Sequence, residues 1–242
     1  MTKVTPLLLL VTSNLINYLK VCYNAVNDSR ALVEDFVTWC GNNHLQLNVT
    51  KTKELVVDLG RRRSTPATPV SIRGADVDMV EDYKYLGVHI DNKLNGSKHA
   101  EALYKKGQSR LYFLRRLGSF NVCTKMLNMF YESVVAGTFL YAVACWGSGL
   151  RARDANRLDK LVEKASHVVG MELDSLAVGS ERRSLAKLLA IMNNTSHPLH
   201  SDLAERVSTF SGRLRLPKCN TERHRRSFIP TAIRLYNAYV PS

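Results

Sequence analysis

"YKYLGVHID", residues 83–91, is the stretch on which the fold of this chain turns. Its mix of aromatic, β-branched and glycine residues reads as a strand, expected over 84–90, with a tight turn at its end. It also ends in His89-Ile90-Asp91. A His-x-Asp triplet supplies two ligands in many oxygen-activating iron sites, and on a strand the two side chains share one face. Both readings require a sheet at this point.

Upstream, Asp28 or Ser29 is placed to cap a helix whose apolar positions Leu32, Val33, Phe36, Val37 and Cys40 follow helical spacing. Gly41-Asn42-Asn43 stops it. "LQLNV" (45–49) alternates apolar and polar as a half-buried strand does, and "ELVVDL" (54–59) and residues 70–73 are further strands. Arg61-Arg62-Arg63 and "STPATP" form a charged loop between them. Downstream of Asn95-Gly96 the periodicity turns helical and stays so, with helices expected over 98–117, 122–146, 152–169 and 181–192. The predicted class is α+β, a small antiparallel hairpin sheet followed by a mainly helical, basic half. Four regions are expected: an apolar beginning (1–27), an α/β segment (28–95), a helical region (96–194) and a basic C-terminal tail (195–242).

The chain of 242 residues is 45% apolar and 23% charged, a folded protein's balance. Cys22, Cys40, Cys123, Cys145 and Cys219 are odd in number and widely spaced, which points to an intracellular, reducing compartment rather than a disulfide framework. "PLLLLVTSNLI" lacks the cleavage site of a signal peptide, and "SVVAGTFLYAVACWG" (133–147) is shorter than the ~20 residues of a bilayer span, so no membrane span is expected and a buried core helix is.

The net charge of +13 is unevenly placed. Residues 1–99 carry 12 Lys/Arg against 10 Asp/Glu, a net of +2; residues 100–242 carry 22 against 11, a net of +11. A polyanion is the natural partner of such a half. Projected at 100° per residue, Leu103, Gly107, Leu111 and Leu114 form one stripe of the helix after Gly96. Lys105 and Arg116 lie opposite, with Tyr112 close by and Arg115 further round; Lys106 and Arg110 add charge. Cations around an aromatic can hold phosphate and stack on a base.

"WCGNNHLQLNVTKTKELVVDL", "YKYLGVHIDNKL" and "LYKKGQSRLYFLRRL" follow in order, and "FYESVVAGTFLYAVACWG", "DKLVEKASHVVGME", "NNTSHPLH" and "RRSFIPTAIRLYNA" extend the series. Together they resemble the C-terminal part of the reverse transcriptase of non-LTR (LINE-type) retrotransposons, over roughly residues 28–240. The resemblance implies that "LNVTKTKE" follows the catalytic centre of the palm, where Lys51 or Lys53 assists the pyrophosphate leaving group. It implies that "YKYLGV" is a primer-grip hairpin with Tyr83, Tyr85, Leu86 and Gly87 at its turn. The basic helices beyond become thumb-like, tracking RNA or DNA through phosphate contacts.

The departure from that pattern concerns catalysis. Polymerases of this family hold two Mg ions on an aromatic-Ala-Asp-Asp motif and an earlier Asp. Upstream of Trp39 the acids are Asp28, Glu34 and Asp35, and no Asp-Asp pair occurs in the sequence. No polymerase activity is therefore expected, and the chain reads as a truncated copy with residual nucleic-acid binding.

A shorter resemblance, over about residues 93–135, is to the N-terminal segment of an AlkB-type, tRNA-modifying dioxygenase. Activity of that class implies Fe(II) on His89 and Asp91, a distant His, and 2-oxoglutarate. His197, His200, Cys219 and His224 are candidate zinc donors, although H-x-x-H followed by C-x4-H is not a standard finger spacing. No cofactor is expected on the first reading.

Overall fold

The computed structural model describes residues 5–11, 17–21, 26–57 and 69–239, with side chains from Ala31 onward, Leu32 excepted. The fold is α+β: a strand-rich unit, residues 1–95, and a helical unit, residues 96–242.

In the first unit, β1 (Thr5–Val11) and β2 (Asn17–Val21) pair antiparallel, and α1 (Val26–Asn42) follows. β3 (Lys53–Val57) pairs antiparallel with β1. β4 (Ser71–Ile72) and β5 (Ala75–Asp76) form a small hairpin, and β6 (Asp78–Met79) runs parallel to β3. The resulting sheet has the order β2-β1-β3-β6. The apolar beginning of the chain thus supplies two strands for which the sequence alone offered no partner.

α1 covers a small core. Val33 and Cys40 on α1 pack with Leu47, Val70, Ile72 and Val77, while Phe36, Val37, Leu45 and Val49 close its edges. Val33, Phe36, Val37 and Cys40 are spaced as one helical face, which is why the helix buries that side. It begins at Val26, so Asp28 and Ser29 lie within its first turn rather than at its cap.

Two strand expectations fail here. Residues 45–49 form no strand: Asn48 accepts a hydrogen bond from the Lys51 N–H (3.1 Å) and starts a 3-10 turn over Val49–Lys51. An Asn side chain competes with sheet pairing in this way, overriding the alternation of "LQLNV". The strand expected over 84–90 is split. β7 (Asp82–Tyr85) and β8 (Val88–Asp91) pair antiparallel through a turn at Leu86-Gly87. The expected strand 70–73 is shorter, because Arg73 (φ 52°) and Gly74 (φ 79°) turn the chain. Arg61–Arg63 and the last two residues of the strand expected over 54–59 lie outside the described residues.

The second unit opens with α2 (Ser97–Gly118) and α3 (Thr124–Phe130). A π-helical stretch, Tyr131–Ala136, leads into α4 (Gly137–Phe139) and α5 (Val143–Trp146). α6 (Ala152–Val169), α7 (Leu176–Met192), α8 (His200–Ala204), α9 (Glu222–Arg225) and α10 (Phe228–Tyr239) complete it. α7 starts earlier than its periodicity suggests, because Ser175 caps the Val178 N–H and Asp159 on α6 accepts the Leu176 N–H (2.7 Å).

The run Thr124–Gly149 is long and apolar enough to cross a membrane by length and composition. It is not one continuous α-helix: Ala142 adopts φ 50° and separates α4 from α5. Leu127, Tyr131, Val135, Phe139, Val143 and Trp146 on this run are buried within the unit. At the far end, α7, α8 and α10 share a core of Leu188, Ile191, Leu203, Leu214, Ala232 and Ile233.

Candidate nucleic-acid interface

α2 is fixed by its inner face. His99, Ala100, Leu103, Gly107, Leu111 and Leu114 are buried. Gly107 is required by close packing: a Cβ there would stand 2.5 Å from the Phe139 ring and 2.9 Å from Leu161 Cδ1. α6 therefore lies close against α2. At their edge Arg157 donates to Glu101 (2.8 Å) and stacks over the Tyr104 ring, 4.0 Å from its centroid. His99 meets Trp146 edge-on at 4.8 Å, and Trp146 Nε1 donates to the Tyr141 carbonyl (2.9 Å).

With one side so held, the other is presented to solvent. Lys105, Tyr112 and Arg116 share that side and are exposed. Phe113 and Phe120, seven residues apart, are exposed beside them, at 55% and 68%. Tyr112 and Phe113 meet edge-to-face at 5.6 Å, and the Arg116 guanidinium lies over the Phe120 ring at 5.5 Å. Phe113 and Phe120 were not singled out on sequence, since a Phe on an amphipathic helix is ordinarily assigned to the core. Their i, i+7 spacing, away from the Leu stripe, was the available signal.

The other three cations border this face. By helical rotation the exposed Lys106 falls in the row of Phe113, seven residues before it, the half-buried Arg110 lies further round towards the buried stripe, and Arg115 is on the other flank. Arg115 and Arg116 also occupy the last turn, where cations complement the helix dipole. Lys105 lies 3.8 Å from Glu101, a carboxylate already bonded to Arg157. That bond holds the Glu101 carboxyl below its usual range and the Arg157 guanidinium above its own.

The hairpin residues form a different surface in the first unit. Leu86 (φ 44°) and Gly87 (φ 87°) are the two central residues of the β7–β8 turn. Positive φ at both is the primed geometry that matches strand twist, and it suits Asn or Gly rather than Leu. Leu86 nonetheless occupies it, 60% exposed. Tyr83 and Tyr85 are half-buried, opposite Ile90 and Val88. Lys53 is bonded to Asp78 across the β3–β6 pair (2.6 Å), while Lys51 is exposed.

Three of the candidate metal residues, Asp91, His197 and Cys219, make local hydrogen bonds. Asp91 is buried and accepts the backbone N–H groups of Lys93 (3.0 Å) and Asn95 (3.2 Å), Asn95 reaching both carboxylate oxygens. Through these bonds it shapes the chain after β8. His197 Nδ1 accepts the Leu199 N–H and the Cys219 thiol donates to the Pro217 carbonyl. Among the described residues no three His, Cys, Asp or Glu side chains gather as a ligand set.

Comparison with known proteins gives two matches in different directions. Residues 97–136, from the start of α2 to the end of the π-helical stretch, match the family described as "Alkylated DNA repair protein alkB homolog 8, N-terminal". No solved structure matches the chain. Over 154 residues, 60% of this chain, it is 25% identical to the "Probable RNA-directed DNA polymerase from transposon BS" of Drosophila melanogaster, of whose length the match covers 17%.

Proposed function

We propose that this chain is a reverse-transcriptase-derived protein of the LINE type that binds RNA or DNA through the outward face of α2 and does not itself polymerise. The observation that carries this reading is the exposed set Lys105, Tyr112, Phe113 and Arg116 on a helix whose opposite face is locked into a core, with Phe120 exposed in the turn just past its C-terminus. Cations there neutralise phosphates, and the rings offer faces to bases or sugars. The similarity to a transposon polymerase supports a nucleic acid over other polyanions. The carboxylates that hold Mg in the resembled polymerases have no Asp-Asp counterpart in these 242 residues, so Lys51 and Lys53 are vestigial here.

The test is binding to a primer–template duplex across a salt series. Affinity should fall linearly with salt on logarithmic axes, and Lys105→Ala with Arg116→Ala should lower the slope by about 2. Salt-independent binding, or none at low salt, rejects the reading.

The match of residues 97–136 favours a second reading, an auxiliary segment of an AlkB-type modification enzyme. This reading predicts association with a tRNA-modifying catalytic partner, and a pull-down in which α2 variants bind that partner as well as wild type does would reject it.

A further inference from the structure

We propose that the hairpin around Phe210 is a second nucleic-acid contact, which stacks on an unpaired base while the cations of its arms hold the neighbouring phosphates. This rests on the nucleic-acid reading above but concerns a different surface, on the segment between α8 and α9.

Residues 206–218 carry Arg206, Arg213, Arg215 and Lys218 and no acid. Val207 and Leu214 pair as a bridge that closes the loop. Within it the Ser208 N–H donates to the Arg213 carbonyl (2.8 Å), Gly212 adopts φ 64°, and the Ser208 hydroxyl accepts the Phe210 and Ser211 N–H groups (3.4 Å each). The base of the loop is anchored. Leu214 is buried in the core shared by α7, α8 and α10, and Asn237 on α10 both accepts its N–H (2.9 Å) and donates to its carbonyl (2.8 Å).

At the tip of this anchored loop Phe210 is 100% exposed. An aromatic ring is strongly driven to leave water, yet the loop, anchored at its base, leaves this one in solvent. A ring held in solvent, with the half-buried Arg206 and Arg213 and the exposed Arg215 on its arms and the exposed Lys218 beyond, suits a ligand that brings a flat π face and negative charge together, as single-stranded nucleic acid does. The Arg215 guanidinium donates to the Glu205 carbonyl (2.6 Å), which positions it beside the loop. Asp202 and Glu205 share a recess of about 360 Å³ with Arg206 and Arg215, so the phosphates are assigned to the open side of the arms rather than to that recess. Arg226 and Arg234, bonded to backbone carbonyls, are structural.

The experiment uses the full chain, a fluorescein-labelled oligothymidylate, a blunt duplex, and phosphatidylserine vesicles. Phe210→Ala should weaken oligothymidylate binding about 5- to 100-fold with the salt slope unchanged, since a stack and no phosphate contact is lost. Phe210→Trp should retain binding and blunt-duplex affinity should not move. Circular dichroism should report the same fold for both variants. Unchanged oligothymidylate binding by Phe210→Ala, with loss on Lys105→Ala/Arg116→Ala, overturns this inference and leaves the α2 reading standing. Loss of vesicle binding without loss of oligothymidylate binding overturns it in favour of a membrane surface. Absence of binding to either nucleic acid overturns both.

Discussion

Leu86 holds a left-handed backbone conformation that costs an L-residue with a branched side chain about 1 kcal/mol relative to Gly or Asn. Leu86→Asn should therefore raise the unfolding free energy of the strand-rich unit by that order, read as a higher urea midpoint, and a lower midpoint would mean that the leucine contributes packing worth more than the strain. Cysteine chemistry divides in the same local way. Cys40 is buried and its thiol is pushed up by that burial, with Arg73 opposing weakly, whereas Cys123 and Cys145 are exposed. Iodoacetamide at neutral pH should label Cys123 and Cys145 well before Cys40, because the thiolate is the reactive form. Mass spectrometry of the tryptic peptides reads the order directly. Tyr131, pushed up to about 12 by burial and then by Glu132, Asp174 and Asp159, sets an alkaline limit. Its folded value exceeds the ordinary 10.0, so its contribution to stability is intact below about pH 10 and is lost as pH rises towards 12.

Among elements, the α2–α6 pair decides what α2 can offer. Gly107→Ala would drive a methyl into the Phe139 ring and should cost about 1–3 kcal/mol, while Gly149→Ala, with open space around it, should be near neutral. Thermal melts of the two variants separate close packing from any general loss of glycine freedom. The Glu101–Arg157 pair at the rim is solvent-exposed and so contributes little. Its sign is still defined: the lowered Glu101 value makes the contribution present above the ordinary carboxylate range and lost as pH falls through the depressed value. Glu101→Gln should flatten the acid side of the stability profile slightly, and a steeper profile would contradict the pairing. The helical spacing of Leu103, Gly107, Leu111 and Leu114 made the buried face of α2 readable in advance. For Phe113 and Phe120 the spacing away from that stripe was the one signal of exposure, because whether a Phe is covered depends also on neighbours distant in sequence.

For the molecule as a whole, charge follows the division into units. Residues 96–242 carry 23 Lys/Arg against 11 Asp/Glu, a net of +12, and residues 1–95 carry 11 against 10, a net of +1. Heparin, a polyanion without bases, should compete with duplex for the α2 face; persistence of duplex binding in excess heparin would place recognition in base contacts instead. Charge distribution and helical periodicity belong to the sequence, because each depends on residue type and local spacing. The tertiary structure decided what depends on distant partners. β3 lies between β1 and β6, and Asn237 clamps the loop that leaves Phe210 in solvent. Neither of these follows from spacing, since a pairing partner or a covering side chain is supplied by chain that folds back from elsewhere.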